Sequence, residues 1–272
     1  CIEAETERSI RKKVCDAVGQ FGVSELSANI ASWPELLPFM LQASTSGHAA
    51  MQEAALLIFS ALSDFIAEHL KSHHATLLDV FRRSLQPEQT MLVRVAALKA
   101  LASFLLAVES KAERQPFQEL VPSMLQTIAD ALTTNAEQEC RDALEVFVEI
   151  AESQSTFLKK HIQACVTGML QIASNEGLDD STRHLALEFL LTVAEQTPTV
   201  ARKLTGFCGA VVPVALTMML DVEGDSPEEL QEWEQEEEDD EKTEITNYDV
   251  GEEALDRISI ALGGKTMVPV LF

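Results

Sequence analysis

The chain is short of cations: 20 Lys and Arg stand against 44 Asp and Glu, a formal net charge of −24 over 272 residues. Nucleic acid is therefore not expected as a direct ligand, because phosphate contacts need clustered Lys and Arg. One Tyr, two Trp and 11 Gly, set against an abundance of Ala and Leu, favour helices over sheets. The five cysteines, Cys1, Cys15, Cys140, Cys165 and Cys208, form no CxxC and no metal-type spacing. Lying among apolar helical positions, they read as reduced, mostly buried thiols of a cytosolic or nuclear protein. No apolar run approaches the roughly 18 residues of a membrane span, and there is no signal peptide, so no membrane insertion is expected. GxGxxG, P-loop and nucleophile-elbow patterns are missing. His69, His73 and His74 have no acidic or Cys ligand following at a useful spacing. Neither catalysis nor a metal or other cofactor is expected.

What the chain does contain is a repeat. Six segments place an Ala beside a large aliphatic residue, with an apolar residue three or four further on, anchored at Ala17, Ala55, Ala97, Ala143, Ala186 and Ala254. The first four steps between anchors lie near 42 residues; the last is about 25 longer. Between them run partner segments such as ELLPFML (35–41), ELVPSML (119–125), AVVPVAL (210–216) and TMVPVLF (266–272), with Pro38, Pro122, Pro213 and Pro269 at one register. A helix-interior Pro costs about 3 kcal/mol, so its recurrence reads as a built-in bend in the first helix of each unit. With an apolar share of 46% and apolar residues at i, i+3, i+4 and i+7, the chain is read as all-α: a right-handed α-solenoid of about six HEAT repeats, each an antiparallel helix pair. An armadillo array has a similar period but needs a short third helix, for which links such as 44–48 and 177–181 leave little room. The chain opens inside a run leading into a helix and stops on an apolar helical stretch. Residues 1–272 therefore read as a segment of a longer protein.

The surplus in the last step coincides with an acidic insert, 222–250, inside the repeat 201–264. Residues 221–244 carry 14 Asp and Glu and one Lys, or −13 of the −24. Many carboxylates on a tether would speed capture of a basic ligand in a salt-dependent way; the bland alternative is a solvated linker. Within the block, Ser226-Pro227-Glu228-Glu229 is a capping box that would start a short helix. Trp233 either folds back onto the array or anchors a partner. After it comes Gly263-Gly264-Lys265, read as a helix C-cap and link.

A helix pair split by an acidic insert and followed by ALDRISIALGGK (254–265) and MVPV (267–270) resembles the importin-beta superfamily of nuclear transport receptors, specifically its importin-beta-three branch. SIRKKVCDAV (9–18) and LALEFLLTVAE (185–195) resemble the same branch, and the likeness runs the whole chain in order. It implies a nuclear import receptor, not an enzyme, that binds basic cargo such as ribosomal proteins and histones, responds to Ran-GTP, and moves between cytoplasm and nucleus through the pore. The segment would correspond to about the third to eighth repeat. In that family the second helices line a concave face where Ran-GTP and cargo compete, and Phe-Gly nucleoporins dock between neighbouring first helices. The acidic loop contacts cargo or Ran, which here implicates Glu234, Glu236, Glu237, Glu238, Asp239, Asp240 and Glu241. Candidate concave-face residues are Arg11, Lys12, Lys13, Arg94, Lys99, Arg141, Asp142, Glu145, Glu149 and Arg183. The cations among them could instead be solvated surface or inter-repeat ion pairs. Asp142, Glu145 and Glu149, spaced by three and four, share one helical stripe. The remaining alternative is a HEAT scaffold subunit, of the phosphatase or condensin type, with no Ran dependence.

Overall fold

The computed structural model describes residues 2, 5–28, 35–221 and 246–271. No strand occurs among them. The principal helices are α1 (Arg8–Ala28), α2 (Leu36–Ser44), α3 (Ala49–Ile66), α4 (His74–Ser84), α5 (Met91–Ala107), α6 (Val121–Thr133), α7 (Glu137–Ser153), α8 (Ile162–Ala173), α9 (Asp180–Gln196), α10 (Phe207–Met219), α11 (Asn247–Leu262) and α12 (Gly264–Leu271). The chain divides into two compact units, Cys1–Ile162 and Gln163–Phe272.

In the first unit, α2 pairs with α3, α4 with α5 and α6 with α7, while the second helices stack in the order α1, α3, α5, α7. Small residues at the anchors permit this stacking: Ala55, Ala97 and Ala143 are buried. Ala17 is exposed, contrary to its anchor role, and the close approach of α1 to α3 is made by Gly19 instead. A Cβ there would lie 2.8 Å from that of Ala61. Leu and Phe fill the layers. Phe59, Phe81, Phe104 and Phe117, from four successive elements, pack with ring centroids 5.1 to 6.4 Å apart.

In the second unit α10 pairs with α11, and α11 also packs on α9 and α12. Gly251 is required here: a Cβ on it would meet the Ala215 carbonyl oxygen at 2.5 Å. The α11 helix opens with a capping box, in which Thr246 Oγ1 accepts from the Asp249 amide and Asp249 returns a carboxylate to the Thr246 amide at 3.0 Å. It ends at Gly263 in a positive-φ conformation, the C-cap expected from the GGK sequence. Asn247–Val250 thus belong to the helix although the insert was drawn to 250.

Several local expectations need correcting. Only Pro213 and Pro269 lie inside helices; Pro122 sits in the first turn of α6, where its missing N–H has no intrahelical partner to lose. Pro38 falls in the first turn of α2. Short helical turns at 67–73, 111–120, 158–160 and 198–201 precede first helices, where bare links were expected. And Ala49–Ser84, 36 helical residues in sequence, contains a window apolar and long enough to match a membrane span by length and composition. Of that window 56% is buried inside the protein, because α3 lies between α1 and α5.

Candidate functional site

Polar contacts between repeats decide which charges a ligand could meet. Arg8 donates to Glu53 at 2.8 Å across 45 residues of sequence, and Ser60 meets Ser103 at 2.7 Å across 43. Lys99 donates to Asp142 at 2.9 Å, also across 43 residues, and Arg94 to Asp130 at 2.7 Å across 36. Each joins one repeat to the next. Several concave-face candidates are therefore answered inside the chain. Arg94 is 2% exposed. Arg11, also buried, donates to the Glu5 carbonyl and lies 3.7 Å from the buried Glu53. Arg183, at 6% exposure, pairs with Asp180 at 2.7 Å, and Arg141 donates to Gln138. Burial would raise the Asp142 carboxyl, but hydrogen bonds from Lys99 and Gln138 outweigh it and hold it below the usual carboxylate range; Lys12 adds to the same effect.

The residues left open to solvent are Lys13, Glu145 and Glu149, with Lys12 half-buried. Glu145 and Glu149 stand one turn apart on α7, so the stripe survives without Asp142. Burial, and secondarily the neighbouring Glu152, push the Glu149 carboxyl up. A cation placed there would relieve that cost.

In the second unit, Arg257 of α11 is held by Glu188 at 2.7 Å and Glu195 at 2.8 Å, contacts spanning 69 and 62 residues. Hydrogen bonds donated to these carboxylates, Glu195 foremost, fix Arg257 in its charged form, and the bond from Arg257 holds Glu195 below its ordinary value. The two ends of the insert are pinned to each other: Asn247 donates to Asp221 at 2.7 Å, and His184 Nε2 meets the Asn247 Oδ1 at 2.5 Å. Beside this clasp lies a groove of about 680 Å³ whose walls include Glu176, Asp179, Asp180 and Asp221. Asp221 opens the acidic block, but Glu176, Asp179 and Asp180 were not singled out from the sequence, although the acidic turn 174–181 carried the signal. Glu234, Glu236–Glu241 and Trp233, with the expected cap at 226–229, lie outside the described residues.

In the first unit an apolar pocket lies between α2 and α4, lined by Leu37, Met40 and Leu41 on one side and Leu77, Val80 and Phe81 on the other. His74 packs its ring on Phe104 and Phe117 at 5.4 and 6.1 Å. Burial raises the thiols of Cys15 to about 11 and of Cys140 and Cys165 to about 12, so these are inert packing residues.

Two importin family models, which together cover most of this array of stacked helix pairs, place the chain among the karyopherins of the importin-beta superfamily. The chain belongs to the IPO5-like family: the family described as "IPO5-like, TPR repeats" matches residues 6–168, and "Importin repeat" matches 175–269. The step near 42 residues exceeds the 34 of a TPR unit and fits a HEAT-type pair. Among curated relatives, the probable importin-5 homolog of Dictyostelium discoideum is 26% identical over 204 residues, covering 74% of this chain and 19% of the relative. Importin subunit beta-3 of Saccharomyces cerevisiae is 26% identical over 270 residues, covering 99% of this chain and 24% of the relative. The chain thus spans a quarter or less of those proteins. Kap121p, in its crystal structure, has the same fold, with a TM-score of 0.80 at 24% identity, over 98% of this chain and 25% of that one. The complex of Kap121p with Nup53p matches at 0.79 and 24%, over 100% and 25%. The family consists of transport receptors rather than enzymes.

Proposed function

We propose that the chain is a segment of a nuclear import receptor that binds basic cargo proteins, such as ribosomal proteins and histones, under control of Ran-GTP, and shuttles between cytoplasm and nucleus. The observation that carries this reading is family membership along the chain, combined with an acidic insert whose ends are clasped at the edge of an acidic groove. Carboxylates concentrated at one place raise the local potential, draw in Lys/Arg-rich segments and lose that pull as salt rises. In this reading Glu234, Glu236–Glu238, Asp239, Asp240 and Glu241 capture cargo or Ran, Trp233 anchors it, and Glu145 and Glu149 extend the acidic surface along α7. Phe-Gly nucleoporins would dock between neighbouring first helices such as α2 and α4, as the resemblance implies. Kap121p has been crystallised with Nup53p and with the SUMO protease Ulp1p, which supports protein ligands for this fold.

The test is binding of the longer receptor to Ran loaded with GTP or GDP, and to a basic ribosomal protein at low and physiological salt. Selectivity for the GTP form, with cargo binding that weakens as salt rises, is the expected result. Equal binding of both nucleotide forms, or none, would leave a HEAT scaffold without Ran dependence.

A further inference from the structure

The first unit carries one cleft of the opposite charge. The turn after α5 and the turn after α7 hold equivalent places in successive repeats, each anchored by a buried phenylalanine, Phe117 and Phe157. Gln118 Nε2 donates to the Phe157 carbonyl at 2.9 Å and lays the two turns side by side. Between them opens a cleft of about 320 Å³ lined by Lys111, Arg114, Lys159 and Lys160, with the Thr156 hydroxyl and the Gln115 and Gln118 side chains. No carboxylate lines it.

Of the carboxylates of these turns, Glu119 pairs with Arg82, and Glu109 and Glu113 do not line the cleft. Among the described residues, Lys111, Lys159 and Lys160 have no carboxylate within 4 Å. Lys111, Lys159 and Lys160 are exposed; Arg114 is half-buried and donates to the Val108 carbonyl, which fixes its guanidinium. Four cations facing one cleft, in a chain of net charge −24, repel each other unless something anionic lies between them.

We infer that this cleft docks an Asp/Glu-rich peptide segment of a partner protein, whose carboxylates pair with Lys111, Arg114, Lys159 and Lys160 while Thr156 and the two glutamine amides supply neutral hydrogen bonds. The volume suits a short peptide stretch, and charge-assisted bonds to Lys and Arg provide the recognition. The ligand is opposite in charge to basic cargo, so the inference does not depend on the cargo reading.

The experiment measures binding of a fluorescein-labelled decapeptide of Asp and Glu to the chain at low salt by anisotropy. The expected result is saturable binding that falls at least tenfold in Lys159→Glu/Lys160→Glu and at least threefold in Lys111→Glu, a single exposed change in the other turn. Arg83→Glu/Lys265→Glu, with the same charge change at exposed residues that do not line the cleft, should shift it less than twofold. No binding by the unaltered chain, or an equal loss in the control, would overturn the inference. So would tight binding of inositol hexakisphosphate that depends on the same lysines while the peptide fails to bind, since that marks a phosphate site.

Discussion

Contacts that tie one repeat to the next span 36 to 45 residues in the first unit and 62 to 69 in the second, yet they do the same structural job. In both, a polar side chain on one helix reaches a polar side chain on a neighbouring helix, most often a cation meeting a carboxylate. The difference in span is nearly the length of the acidic insert. Helix faces, not links, therefore decide which helices stack. A turn between the helices of a pair can lengthen greatly because loop-closure entropy grows only with the logarithm of loop length. The second unit compensates locally, with the Gly251 contact, the Arg257 pairs and the clasp at Asn247, where the first unit relies on an aromatic core.

The largest expected effect is in that aromatic core. Phe104→Ala should cost about 4 kcal/mol, since the ring is fully buried among three other phenylalanines. Hydrogen exchange should report the loss in α3 to α6 and spare α9 to α11, because each repeat leans only on its neighbours. In the second unit Gly251→Val should cost about 2–3 kcal/mol by forcing α10 and α11 apart. Denaturant melts would show it, and the same substitution would be harmless if the pair were held only by its ends.

Polar ties rank lower. Arg257→Ala removes the ion pairs to Glu188 and Glu195, both partly solvated, and should cost about 1–1.5 kcal/mol. Lys99→Ala, which removes one ion pair where Arg257→Ala removes two, should cost about 0.5–1 kcal/mol. Acid sharpens the same ranking. Glu195, Asp130 and Asp142 are held below their ordinary values of 4.5, 3.8 and 3.8, so they stabilise the fold above those values and lose that contribution as pH falls through the depressed ones. The melting temperature should drop as pH falls below about 4.5, and Arg257→Ala should show a shallower drop.

The helix pairs and their period were legible in the sequence, because apolar spacing and the Ala anchors are local signals. Ala17 misled because its segment matches the pattern while the buried contact falls two residues on, at Gly19. The prolines misled for a different reason: register along a helix does not reveal where the preceding 3₁₀ turn gives way to α-helix. The site was legible only as a list of charges. That Arg94 and Arg183 are buried and paired while Glu145 and Glu149 stand open depends on which neighbouring helix each faces. Asp130, the partner of Arg94, lies 36 residues away and no local pattern encodes it, whereas Asp180 stands three residues from Arg183 on the same helix.

The measurement that tests the account most directly replaces 222–245 with a short Gly/Ser link and compares the shortened and full chains for stability and for binding of a basic ribosomal protein. The account predicts melting within about 1 kcal/mol of the full chain, because closure entropy changes little, together with at least tenfold weaker, less salt-sensitive cargo binding. Cargo binding that survives the deletion unchanged would contradict it and leave the acidic block a solvated linker.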